Sequence, residues 1–474
     1  MGVAIAPTVF IQPLPAVASS PPAAVAETFR DLPGLVVLES ARPGRNARWS
    51  YLTADPIDVI LEPSAGDDPL AGARTMLGRL DAGPIAAQAG WELPPFVGGL
   101  AGYLSYDLGR ELERIPALAV ADQDLPQLRL ALHDWVVAWD RRTGAAWLGG
   151  RVADGDPARF GRRLSDVRAR LAALGNAGAR EFSPGVPTDP IELRSGLSRP
   201  EYEARVAAVR AAIARGEIYQ ANLARRLEAP FGGDLWPLYR RLVEGDPALF
   251  AAYLDLGPDP STGVPRAIAS ASPEPFLSVD RDGTVATDPI KGTRPRGRTR
   301  AEDRDLAREL LCSVKDRAEN VMIVDVLRND LGRCCRAGSI RVPRLCRLER
   351  TDAVQHLVTT ITGRLAPGQD ALDLLAASFP GGSITGAPKI RAMEIIEGLE
   401  PVRRGPYTGA AGWISPDGAM QTSILIRTFV ADGARLSLHV GGGITWGSDP
   451  AAEWQETVDK ARGPLRAIGA LEVA

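Results

Sequence analysis

The chain has 474 residues, 45% of them hydrophobic, with a formal net charge of −3. That length suits two or three average domains or one large composite fold. The slightly acidic balance argues against a nucleic-acid binder, and no apolar run reaches membrane-spanning length. The four cysteines, Cys312, Cys334, Cys335 and Cys346, fall in one short region instead of spreading as a disulfide framework would. The first residues lack a basic stretch followed by a clean apolar one, so a cytoplasmic protein with reduced thiols is expected. With three histidines and no Cys/His ligand spacing, any metal should be a hard cation on carboxylates, magnesium by default.

Residues 1–185 read as a first region of mixed strands and short helices. Segments 36–40 and 135–139 look like buried strands, and glycine-rich 98–103 precedes another. A helical stretch around 158–174 leads into Gly/Pro-rich 175–190, read as the linker. The second region, 195–474, opens with a helix. Ser198 and Glu201 make a capping-box pair, and Tyr202, Val206, Val209 and Ile213 recur at helical spacing up to Gly216. Residues 218–223 then alternate like a strand and aim Gln220 and Asn222 at one face. Strands and helices follow irregularly, without the rhythm of a parallel doubly wound sheet.

Four stretches carry chemistry. Lys291 stands in Asp-Pro-Ile-Lys-Gly-Thr-Arg-Pro-Arg-Gly at 288–297, read as a short turn that displays the lysine. Asp316, Glu319 and Ile323 share one face of an amphipathic helix ending at Gly332. A partly buried carboxylate and a surface ion pair with Lys315 or Arg328 both fit that pattern. The Gly/Ser/Thr turn at 379–391 offers amides and Lys389 to an anion, but its spacing is not that of a nucleotide-binding loop. Near the C-terminus, Glu453, Glu456 and Lys460 line one helix face, preceded by Gly441, Gly442 and Gly443, whose backbone would approach a ligand and offer free amides. An ordinary solvated salt-bridge stripe is the competing reading.

Taken together, these motifs resemble the chorismate-utilising enzymes, a family of anthranilate synthase large subunits, aminodeoxychorismate synthases and isochorismate synthases. The resemblance rests on Ser-Pro-Glu at 272–274, Pro-Ile-Lys-Gly-Thr-Arg at 289–294, the 318–333 helix, His356-Leu357, Gly-Ser-Ile-Thr-Gly-Ala-Pro-Lys at 382–389, Gly441–Gly443 and 453–460. It covers essentially the whole chain and is densest over 198–464. It implies an α+β fold: two large antiparallel sheets packed as a sandwich, helices outside, both regions joined in one composite body. Lysine at 291, where anthranilate synthases of the family usually carry alanine, resembles aminodeoxychorismate synthase component I. The isochorismate-type enzymes place a water-activating lysine where this chain has Gln220. Pro275 departs from the family, which often has arginine there.

The resemblance also implies roles. Lys291 would be the nucleophile, Glu274 the general acid and His356 a contact for the ring hydroxyl. Glu319 and Glu456 would hold Mg²⁺. Thr293, Thr385, Arg427, Gly441, Gly442, Gly443, Glu453 and Lys460 would bind chorismate. No glutaminase nucleophile segment is present, so a glutamine amidotransferase partner is expected to supply ammonia. In relatives, the region around Leu38, Glu39 and Ser40 lines a between-sheet pocket for tryptophan; a plain hydrophobic core is the alternative. Anthranilate synthase component I, or a non-catalytic tryptophan- or chorismate-binding subunit, are the competing functions.

Overall fold

The computed structural model describes residues 8–42, 47–85, 92–177, 190–350 and 354–473. Among these, two large sheets of thirteen and ten strands form the centre. The first runs in space from Val9–Pro13 through Ala145–Arg151, Trp135–Asp140, Trp49–Thr53 and Val36–Glu39 to Phe250–Pro258. It continues through Pro265–Ser272, Thr428–Ala431, Arg435–Ile444, Gln220–Pro230 and Ile191–Ser195 to Ala470–Val473. The second runs from Ile290–Pro295 through Val354–Arg364, Thr284–Thr287, Pro275–Val279, Met420–Ile424 and Ala410–Ile414. Gly99–Leu104, Leu128–His133 and Asp58–Ile60 end this path; Arg341–Arg350 joins this sheet beside Val354–Arg364, and Gly386–Ala387 joins the first beside Gln220–Pro230.

Neighbouring strands are antiparallel, as expected, with one exception: Ala470–Val473 lies parallel to Ile191–Ser195. The exception follows from the long helix Pro450–Ile468, which returns the chain over the sheet before Gly469, at φ 73°, ends it. Both regions of the chain enter both sheets. Val36–Glu39 pairs with Phe250–Pro258, and Gly99–Leu104 with Ala410–Ile414. The helix before the expected linker, Pro157–Ala177, extends past its predicted end, and most of that linker, 178–189, lies outside the described residues.

Side-chain alternation explains the layering. On Trp135–Asp140, Trp135, Val137 and Trp139 pack outward under helices, while Val136 and Ala138 face the other sheet. Both faces are covered, which is why this strand reads as an unbroken apolar run. Helices Pro157–Ala177, Trp236–Gly245 and Pro450–Ile468 cover the first sheet, and Ala71–Leu77, Val314–Gly332 and Ala371–Ser378 the second. The glycine-rich 98–103 segment does not precede a strand but is one. A Cβ on Gly102 would stand 1.8 Å from the Arg129 carbonyl oxygen, so close strand approach uses that glycine.

Candidate active site

Lys291 sits in strand Ile290–Pro295, not in the expected turn. This strand pairs with Val354–Arg364, Lys291 opposite Leu357 and Thr293 opposite His356, and its register slips between the two. Gly292 occupies that slip at φ 76°; a Cβ there would meet Leu310 at 2.9 Å and Asp316 at 3.0 Å. The proline and glycine punctuation therefore marks a bulge within a ladder, which re-aims a neighbouring side chain. The Lys291 amine donates to the Ser383 carbonyl at 3.1 Å.

Glu274 immediately precedes strand Pro275–Val279, and its backbone is tied at both ends. The Ser272 hydroxyl accepts from its N–H at 3.3 Å, and its carbonyl accepts from Ile424 N–H at 3.1 Å. Pro275 opens the strand, a position where the missing N–H costs little. Burial pushes the Glu274 carboxyl above its ordinary range, against the Ser383 hydroxyl, the Lys291 and Lys460 charges and the Ile290 backbone. A carboxyl whose protonated form is favoured by burial, near an amine, suits an acid–nucleophile pairing.

Two helices supply the carboxylates. Val314–Gly332, capped by Ser313 bonding to Asp316 N–H at 3.2 Å, carries Glu319; Pro450–Ile468, capped by Asp449, carries Glu453, Glu456 and Lys460. Asp316 leaves the acidic face to pair with Arg294 at 3.2 Å, and Arg328 pairs with Asp325. Burial raises the Glu319 carboxyl; the Lys291 and Lys315 charges pull it down, while Asp316 and Glu456 push it up. Burial likewise raises Glu453, against the Ser448 hydroxyl. For Glu456 burial is outweighed by Lys460, 2.7 Å away, and by Lys315 and Lys291, so its carboxyl is held low.

Among the described residues no group of three or more Asp, Glu, His or Cys side chains forms a metal cage. Mg²⁺, however, commonly takes one or two carboxylates, substrate and water completing its octahedron. Glu319 is raised by burial, and Lys291 and Lys315 act against the Asp316 and Glu456 charges there, so its carboxyl shares one electrostatic field with Glu456. The Glu319–Glu456 pair therefore fits a hard cation.

Gly441–Gly443 lie inside strand Arg435–Ile444, paired with Ala224, Leu223 and Asn222, so the run is not a free loop. Antiparallel alternation turns Gly442 toward Leu223 and the Gly441 and Gly443 peptides to the opposite edge, where Lys460 donates to the Gly441 carbonyl at 2.8 Å. A Cβ on Gly442 would stand 3.2 Å from Glu456 and 3.4 Å from Glu453; one on Gly443 would meet Gln220 at 2.4 Å and Asn222 at 3.2 Å. The glycines thus make room for side chains of the cleft, and Gln220 and Asn222 share a face.

His356 is buried, and its Nδ1 lies 3.0 Å from the Thr293 hydroxyl. Burial first, then the Arg427 charge, lowers its pKa to about 4, so the ring is neutral at pH 7. Arg427 takes a left-handed backbone at φ 50° and reaches toward Asp246 at 3.6 Å. Two expectations need correction. Thr385 is fully buried, and its hydroxyl donates to the Gly381 carbonyl at 3.0 Å, so it braces the turn instead of facing the cleft. Lys389 is buried against Asp330 at 2.8 Å and so is not held open for an anion. Ser383, quoted within the motif but given no role, is the residue sequence reasoning missed.

Leu38, Glu39 and Ser40 do line a pocket between the sheets, with Trp49, Tyr51 and Trp413 among its walls, but its volume is about 30 Å³. That is room for about one water, far short of an indole side chain. The plain-core alternative describes it better.

The family model for chorismate binding enzymes matches residues 44–466. The chain is 42% identical over 426 residues to aminodeoxychorismate synthase component 1 of Salmonella typhimurium, covering 87% of this chain and 88% of that protein. It is 40% identical over 444 residues to anthranilate synthase component 1 of Streptomyces coelicolor, covering 91% and 83%. The crystal structure of anthranilate synthase component I from Streptococcus pneumoniae superposes with a TM-score of 0.75 at 29% identity, covering 90% of this chain and 93% of that one. Relatives named for two reactions thus stand at nearly equal identity. On this evidence the chain belongs to the chorismate-binding enzyme family.

Proposed function

We propose that the chain is an aminodeoxychorismate synthase component I, which aminates chorismate to 4-amino-4-deoxychorismate for 4-aminobenzoate and folate synthesis. The observation that carries this reading is the Lys291 amine, held by the Ser383 carbonyl within electrostatic reach of Glu274 and Glu319. The lone pair of the Lys291 amine attacks ring carbon C2, the two conjugated ring double bonds shift, and the C4 hydroxyl leaves as water with the Glu274 proton. Ammonia then adds at C4, the double bonds shift back, the C2–lysine bond breaks with its electron pair returning to the amine, and the extra proton of the new C4 ammonium goes back to Glu274. Arg427, Lys460 and the peptide edges of Gly441 and Gly443 would hold the substrate's negative groups. Glu319 and Glu456 would hold Mg²⁺, which when bound adds positive charge beside the ring carboxylate.

A glutamine amidotransferase subunit would supply the ammonia; the relatives' naming as component 1 supports a second component. Incubation with chorismate, Mg²⁺ and ammonium, followed by mass analysis, tests the reading. Aminodeoxychorismate retains the enolpyruvyl group, whereas anthranilate has lost it. Anthranilate as the main product would establish the second reading, anthranilate synthase, favoured by the Streptomyces relative that matches 91% of the chain.

A further inference from the structure

We propose that Ser383 is a positioning residue that locks the Lys291 amine and the Glu274 carboxyl into one arrangement; this rests on the lysine-nucleophile reading above. Ser383 lies in the turn Gly382–Ile384 and is buried. Its carbonyl accepts two donors, Lys291 Nζ at 3.1 Å and Asn222 Nδ2 at 3.2 Å, while its hydroxyl lies within hydrogen-bonding reach of Glu274. One residue therefore touches both reacting groups from opposite ends of its own backbone and side chain.

The turn that carries it is fixed on every side. Arg404 donates to the next carbonyl, Ile384, at 3.0 Å, and Asn222 N–H donates to the Thr385 carbonyl at 2.8 Å. Thr385 closes the turn onto Gly381. A Cβ on Gly382 would come within 2.6 Å of Val326, so the turn packs directly on the helix that bears Glu319. A carbonyl held this way cannot follow the lysine, so the lysine must come to it. Such pre-set geometry stores its cost in folding and spends none during reaction. The second amide, Asn222, shares the carbonyl from the opposite side and leaves its Oδ1 buried with no partner, facing Gly443.

The test is steady-state turnover of chorismate with ammonium and Mg²⁺ across pH, for wild type, Ser383→Ala and Ser383→Thr, each checked by thermal melting. Ser383→Ala should lower kcat on the order of 10-fold with KM for chorismate nearly unchanged, the pattern of lost positioning. It should also move the alkaline limb of the profile to higher pH. Of the groups that oppose burial at Glu274, the Ser383 hydroxyl is the strongest, ahead of Lys291 and Lys460. Removing it raises the carboxyl further, and an acid that works protonated then stays active to higher pH. Ser383→Thr, which keeps the hydroxyl, should restore the limb; Ser383→Gly serves as a second deletion if alanine fails to fold. A lower melting temperature with the limb in place, or kcat within about twofold of wild type, overturns the proposal. Wild-type product identity separates the two ideas. Anthranilate from wild type sinks the lysine reading whatever Ser383 does, whereas aminodeoxychorismate from wild type with an indifferent Ser383→Ala sinks this inference alone.

Discussion

Two regions of this molecule are built from opposite materials. The one between the sheets is closed by Tyr51, Phe96 and Trp413, Phe96 stacking on Trp413 at 5.0 Å between ring centres and Tyr51 packing edge-on at 5.5 and 5.7 Å. The cleft between helices Val314–Gly332 and Pro450–Ile468 is lined by Glu319, Glu453, Glu456, Lys315 and Lys460, with glycines where side chains would intrude. Aromatic surface buried without polar demands closes on itself. Charged groups pair among themselves, Lys460 with Glu456 at 2.7 Å and Lys315 with Glu453 at 3.9 Å, and all but Glu453 stay partly open to solvent. The first region is a core, the second a candidate site.

The sharpest way to break this contrast is Lys291→Ala. Turnover with glutamine and partner should fall on the order of 10²-fold or more, with melting temperature little changed. Unchanged turnover would remove the covalent step. Next comes the cation: chelation should abolish turnover, Mg²⁺ should restore it, and Glu456→Gln should demand more Mg²⁺ for the same rate. Activity indifferent to chelator would show that the carboxylate pair serves some other purpose.

On the other side of the comparison, Trp413→Ala should cost about 3–5 kcal/mol of stability, the range for a deleted buried aromatic, measured by urea unfolding. Activity per folded molecule should hold. A loss below about 1 kcal/mol would mean the between-sheet gap is not packed as a core.

Acid sharpens the comparison further through two buried histidines. Burial holds His133 to about 3 and His356 to about 4. In the unfolded chain both take up a proton near 6.5. Their contribution is therefore full above about pH 6.5 and is lost as pH falls toward 4. At pH 5 each should cost roughly 2 kcal/mol relative to pH 7, seen as a lower urea midpoint; an unchanged midpoint would contradict their burial. The smallest expected effect is none: millimolar tryptophan should shift neither melting temperature nor rate. A clear shift would mean the between-sheet gap opens.

Much of the fold was legible because local patterns repeated at the right period. Helix Arg199–Ala214 forms where Ser198 and Glu201 foretold, with both capping bonds made. Strands Val36–Glu39 and Trp135–Asp140 sit where their apolar runs were read. The shared helix face of Glu453, Glu456 and Lys460 was legible for the same reason. Lys291 was misread as a turn residue because Pro289, Gly292 and Pro295 look alike in a turn and in a bulged strand. Gly441–Gly443 were read only as close-approach glycines with free amides, since their strand partners, residues 222–224, lie some two hundred positions earlier. Ser383 escaped notice because its importance lies in a backbone carbonyl, which every residue type possesses.

From its amino acids alone this protein declared several of its helices, its acidic faces and the ordered motifs that mark its family. Those features depend on side-chain identity within a few residues of one another. Tertiary structure alone decided that Glu274, Lys291 and Ser383 come together, that the register slips at Gly292 and that the gap beside Leu38–Ser40 is shut. These depend on which strand pairs with which and at what offset, a choice made by burial summed over the two sheets and beyond the reach of any local window.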